Sequence, residues 1–212
     1  MPGMFHKEGR SAFMRKFLLS LILFLPLSGL WADQLEEIYA RISAHPVTKG
    51  ELTQEQYIKV ANRSLISKGT FVMAADRGVI FEITDPFPSS MVVTEEKLVQ
   101  TLPGDVVAVM DGNENAMFKN IAKIIHSVFA NDVQVLKDNF QVSVTGGPKD
   151  VVTLVPKDPL LSLLFLKITL AVGDSIDSVS VIETGGNWVN YTFSNKTFPE
   201  KLTEDERQRL AN

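Results

Sequence analysis

The sequence contains no cysteine and only three histidines among 212 residues. Without thiols there is no disulfide framework, no thiolate nucleophile, no zinc-finger or iron–sulfur site, and no cysteine to carry an attached lipid. His6, His45 and His126 stand far apart, and no two share a metal-ligand spacing. A nucleophile elbow, a P-loop, an HExxH and a GxGxxG are all missing. The neighbouring carboxylates (Glu36-Glu37, Glu95-Glu96, Asp174 with Asp177) are of the kind that helix faces and turns collect. Net charge is −4, which gives no overall pull toward nucleic acid. These absences point to a protein that is not an enzyme, takes no cofactor or metal, and has no nucleic-acid partner.

Long hydrophobic runs are also scarce. The one that stands out, Phe17–Leu27, is too short to span a bilayer comfortably and contains Pro26. It follows Lys7, Arg10, Arg15 and Lys16 and precedes Ser28–Ala32. A basic head, a short apolar middle and a small residue at the end describe a secretory signal peptide, residues 1–32, cleaved after Ala32. Met14 opens a segment that is already a complete signal. Residues 1–32 hold four of the 21 basic and one of the 25 acidic residues, so their removal takes the net charge to −7. The expected mature protein is an acidic, exported monomer whose membrane contact is transient, because it has no polybasic surface to hold it on anionic lipid.

Beyond the signal, Leu35, Ile38, Tyr39 and Ile42 recur at helical spacing until Pro46. From Gly50 the period changes to two. Phe71 and Met73 share a strand face, as do Val79, Phe81 and Ile83, with Arg77-Gly78 turning between them. Met91–Thr94 and Leu98–Thr101 read as short strands. A second helix is expected from about Glu114 to Phe129, ended by Asn131-Asp132. Its stripe is Met117, Phe118, Ile121, Ile124, Ile125 and Val128. Strands then follow one another: Phe140, Val142 and Val144; Val151–Val155; Ile168, Leu170 and Val172; Val179 and Val181; and Val189, Tyr191 and Phe193. Their turns are Gly146-Gly147-Pro148, Gly173-Asp174 and Gly185-Gly186-Asn187, and Pro159–Phe165 is an apolar connector. Thr203 with Glu206 forms a capping box for a short polar helix, Glu204–Leu210, in a tail (199–212) that reads as solvated.

Strict alternation marks antiparallel strands with one apolar face. Nine to twelve such strands make a sheet long enough to curl. One amphipathic helix cannot cover all of its apolar face as a tightly filled core. The expected fold is therefore mainly β, a curved antiparallel sheet with a helical lid on its concave face, enclosing an apolar hollow.

Several segments, in order, resemble the LolA-like outer-membrane lipoprotein carriers, in a divergent branch. Gly50-Glu51-Leu52-Thr53-Gln54 is similar to the family's G-x-F-x-Q opening, and Ser67–Phe71 to its S-x-G-x-F strand. Val79–Pro86 places Phe81 where the family carries Trp. Phe129–Asp132 with Leu136 and Phe140, then Leu154–Asp158, resemble F-x-G-D…L…F and L-x-P-K-D. The resemblance implies an unclosed β-barrel over residues 33–198 that binds acyl chains under a lid. Its function would be to ferry a lipoprotein or other lipidated molecule across the periplasm, from an inner-membrane donor complex to an outer-membrane acceptor. A lipid-sensing regulatory module on the same fold is the alternative. Met117, Phe118, Ile121, Ile124, Ile125, Val128, Leu163 and Leu164 would form the lid. Phe71, Met73, Phe81, Phe140, Val142 and Trp188 would form the cavity wall. Ala75 and Asp76 occupy the places of the family's latching arginine and the proline after it, which leaves Arg77 as the candidate latch.

Overall fold

The computed structural model describes residues 28–103, 105–111, 126–128 and 132–211. Helix α1 (Ser28–Ser43) starts ahead of the expected cleavage point after Ala32. It buries Leu35, Ile38, Tyr39 and Ile42 as one stripe. Eleven strands follow in a single antiparallel sheet: β1 (Val47–Ile58), β2 (Arg63–Ala74), β3 (Gly78–Asp85), β4 (Ser89–Val93), β5 (Lys97–Leu102), β6 (Asp105–Asp111), β7 (Phe140–Thr145), β8 (Asp150–Pro156), β9 (Phe165–Val172), β10 (Ile176–Glu183) and β11 (Trp188–Thr197). Their spatial order is β6-β5-β4-β3-β2-β1-β11-β10-β9-β8-β7, so among the described residues β6 and β7 are the two edges and the barrel is unclosed.

Two glycines let the central strands bend. The β1–β11 register slips between Lys49 and Glu51, and the β2–β3 register slips between Lys68 and Gly69. At Gly69 a Cβ would fall 1.7 Å from the Glu82 carbonyl oxygen, and at Gly50 2.4 Å from that of Ser194. Only glycine allows this approach, and each bulge adds local twist and curvature.

Alternation sends Leu52, Phe71, Met73, Val79, Phe81, Leu154, Leu170 and Phe193 to the concave face. The α1 stripe, Val128 and Leu136 join them there. Residues 126–128 are helical, within the expected second helix. Asp132, one of the two residues expected to end that helix, caps the next one, α2 (Val133–Asn139), by accepting from the Val135 N–H at 3.0 Å. The Pro159 connector forms a single turn, α3 (Pro159–Ser162), capped by Asp158, which accepts from the Leu160 and Leu161 N–H groups.

The tail is largely exposed but is anchored to the sheet. Helix α4 (Glu204–Ala211) carries the expected capping box, with Thr203 N–H donating to Glu206 Oε2 at 2.8 Å and Glu206 N–H to Thr203 Oγ1 at 3.3 Å. It lies on the convex face, where Leu210, only 7% exposed, packs with Ala74, Ile80 and Val92. Lys49 donates to Glu206, and Arg209 donates to Glu82 and Ser90. The sheet therefore needs cover on both faces over β2–β4, because Ile80 and Val92 are apolar residues pointing outward.

Candidate functional site

The concave face holds a cavity of about 580 Å³. One wall comes from the β3–β4–β5 hairpins: Val79, Val93 and Leu98 form one cross-strand row, and Phe81 with Met91 forms the next. The opposite wall comes from β9–β10–β11. Ile168, Val181 and Val189 form one row there, and Val179 faces Tyr191 in another. Each row joins directly opposed residues, so the lining follows from hairpin register.

The floor is aromatic. Phe81 stacks on Tyr191 at 5.5 Å between ring centroids, and behind them, in the packed core, Phe71 meets Phe193 at 4.7 Å. In a flat sheet β3 and β11, three strand spacings apart, would be ~14 Å from each other. Their rings meet because the sheet curls.

Val128, 3% exposed, lines the cavity from the helical segment above. Its carbonyl accepts a hydrogen bond from the Tyr39 hydroxyl at 3.2 Å, which ties that segment to α1. Burial pushes the Tyr39 phenol far above its ordinary value, so it is always a donor. Leu163, Leu164 and Phe165 border the cavity where it meets solvent, and Leu163 is 71% exposed. Thr184 fixes this border: its N–H donates to the Leu164 carbonyl at 3.2 Å and its hydroxyl to that of Ser162 at 2.7 Å.

Among the described residues, the ionisable lining groups are Glu183 and Tyr191. Glu183 accepts from Asn187 Nδ2 at 2.8 Å. Burial, and then the Glu183 charge, raise the Tyr191 phenol, which keeps it neutral. His126 is half-buried, and desolvation lowers its pKa against the opposing pull of Glu95, Asp132 and Asp76. A lining of aliphatic and aromatic groups with one carboxylate at the border can hold a hydrocarbon.

Of the wall residues read from the sequence, Phe81 lines the cavity. Phe71, Met73 and Phe140 are packed core on the same face. Val142 sits with Phe140 and Lys157 in a separate shallow depression. Trp188 is on the other face, because Val189 and Tyr191 point inward and alternation turns residue 188 outward. It stacks on Tyr57, its partner across β1–β11, at 5.6 Å. Val128, Leu163 and Leu164 all reach the cavity. Met117, Phe118, Ile121, Ile124 and Ile125 lie outside the described residues. Arg77 is on the exposed β2–β3 turn, where it pairs with Asp76 at 3.7 Å. The Tyr39–Val128 bond is the tie between a described element and the covering segment that sequence reading missed. Met91, Val93, Leu98, Val179, Val181, Val189 and Tyr191 were missed as lining. Their signal was there, since they are the apolar residues equidistant from each hairpin turn.

The family model for "Outer membrane lipoprotein carrier protein LolA" matches residues 46–206. The chain belongs to the LolA family. No curated protein sequence matches it. Among solved structures, one similar fold is a Vibrio parahaemolyticus domain assigned to outer membrane lipoprotein sorting. It is 9% identical and has a TM-score of 0.50, over 87% of this chain and 100% of that one. Another is the LolA superfamily protein NE2245 from Nitrosomonas europaea, 10% identical with a TM-score of 0.45, over 83% and 99% of the two chains. At 9% identity the likeness to the Vibrio domain is one of fold alone, and it agrees with the unclosed antiparallel barrel of this LolA family member.

Proposed function

We propose that this protein is a periplasmic carrier that encloses an acyl chain of a lipoprotein or another lipidated molecule and ferries it from the inner to the outer membrane. The observation that carries the reading is the apolar cavity between two hairpin walls, in a chain of the LolA family. The expected signal peptide supports the compartment.

The cavity volume refines the cargo. A cavity of ~150 Å³ holds benzene, or ~25 Å³ per carbon. At that packing about 580 Å³ accommodates ~23 carbons, enough for one long acyl chain. Three sixteen-carbon chains would need ~1,200 Å³. The cavity as it stands therefore takes one chain, and a triacylated cargo needs about twice that space. Each methylene is worth about 0.8 kcal/mol on leaving water, so a sixteen-carbon chain must recover roughly 12 kcal/mol to leave a bilayer without net loss. Only enclosure supplies that.

Native mass spectrometry of protein purified from its own periplasm tests the reading. An adduct with the mass of an acylated molecule is expected. Lipid-free protein in every preparation would count against it.

A further inference from the structure

The loops of an antiparallel sheet emerge at two ends, and here the two ends differ in chemistry. One end carries the turns at Ala75–Arg77, Thr94–Glu96, Gly146–Lys149 and Gly173–Asp174, whose tips are polar. The other carries the β1–β2, β3–β4 and β10–β11 turns and the α3 connector. Their proximity is direct: Lys59 N–H donates to Asn187 Oδ1, Thr184 N–H to the Leu164 carbonyl, and Lys68 pairs with Asp85. Among the described residues, every exposed large apolar side chain except Val109 and Phe198 lies on or next to this second end.

Val60 is the extreme case, 94% exposed at the β1–β2 tip. Phe87 and Leu160 are also exposed there. The tip projects, since residues 63–67 of β2 pair with β1 but not with β3. From Ile58 to Lys68 it holds Lys59, Arg63 and Lys68 and no acidic residue. The cavity border at Leu163 and Gly185 belongs to the same end.

We propose that this end is a membrane-contact surface that seats the protein on a phospholipid bilayer with the cavity border facing the lipid. The reasoning is chemical. Apolar side chains borne singly on separate turns suit a fluid acyl layer better than a single protein groove, and the three cations of the β1–β2 tip suit phosphate headgroups, while Asp85, Asp158 and Glu183 on the neighbouring turns keep the attraction local to that tip. For its purpose the proposal rests on the carrier reading: the chain would pass between bilayer and cavity without crossing water.

The full chain is mixed with vesicles of phosphatidylethanolamine and phosphatidylglycerol and sedimented. The protein is expected in the pellet, with Val60→Asp and Leu160→Asp each weakening association about tenfold, as for loss of one inserted aliphatic group. Val109→Asp, away from this end, should leave it unchanged. Wild-type protein left in the supernatant, or rim variants that sediment like Val109→Asp, overturns the proposal. So does a wild-type dimer in ultracentrifugation that Val60→Asp dissolves, which would assign the surface to a second copy. Neither Val60 nor Leu160 lines the cavity, so fluorescent fatty-acid binding is read separately. Vesicle association without fatty-acid uptake removes the carrier reading and leaves the surface; uptake without association does the reverse.

Discussion

If the cavity holds an acyl chain, filling it from the wall must shorten the chain it accepts. Val181 and Val189 face each other across β10–β11, and both line the cavity. Replacing each with Trp adds about seven non-hydrogen atoms per site, or ~175 Å³ at ~25 Å³ per carbon. One substitution leaves ~400 Å³, room for ~16 carbons; both leave ~230 Å³, room for ~9. Trp suits a strand, and a cross-strand aromatic pair is favourable, so the double variant should fold. Filling empty space should raise Tm rather than lower it. The assay is calorimetric titration with fatty acids of increasing length. Wild-type affinity should rise with length, each methylene contributing up to about 0.8 kcal/mol, and level off near ~23 carbons. The double variant should level off near ~9 carbons while binding shorter acids as the wild type does. Wild-type affinity independent of chain length would refute the reasoning, as would a double variant that gains from the tenth to the sixteenth carbon as the wild type does.

Three further outcomes follow from particular contacts. Tyr39→Phe leaves the Val128 carbonyl buried without its donor, which should cost about 1–3 kcal/mol in denaturant titration and speed hydrogen exchange at residues 126–128. His126 binds its proton less readily in the folded chain than in the unfolded one, so below the ordinary histidine range the unfolded state takes up more protons. Stability should therefore fall as pH drops through that range despite Glu95, Asp132 and Asp76 nearby, and His126→Gln should flatten the profile of Tm against pH. Leu210→Ala should cost about 2–4 kcal/mol, because it empties the contact over Ala74, Ile80 and Val92; a change below ~0.5 kcal/mol would mean that α4 is a loose tail.

Much of the sheet was legible because its hairpins announce themselves locally. Gly146-Gly147, Gly173-Asp174 and Gly185-Gly186 each separate alternating runs, and each marks a turn between paired strands. The helix of α1 and the capping box at Thr203 were equally plain. What failed was information carried between elements. The outward Ile80 and Val92 are single residues in otherwise alternating strands, so nothing local shows that Leu210 will cover them. Strand β6 has an apolar run without turn residues inside it, and α2 is short and starts at Asp132, whose capping role there has no pattern of apolar residues to announce it. At the site, aromatic character drew attention to Phe140 and Trp188. Register instead selected smaller residues, Val181 and Val189 among them, because distance from the turn decides what faces the hollow.

The place of β1 beside β11 has a consequence for how the molecule assembles. Every other pairing joins strands adjacent in the chain, whereas Tyr57 meets Trp188 across most of its length. Two local meanders, β1–β6 and β7–β11, can form by hairpin closure alone. The seam between them closes a far larger loop and should come late and limit the rate of folding. Because that seam contributes to the cavity floor, the binding hollow would come into being only at the final step of folding.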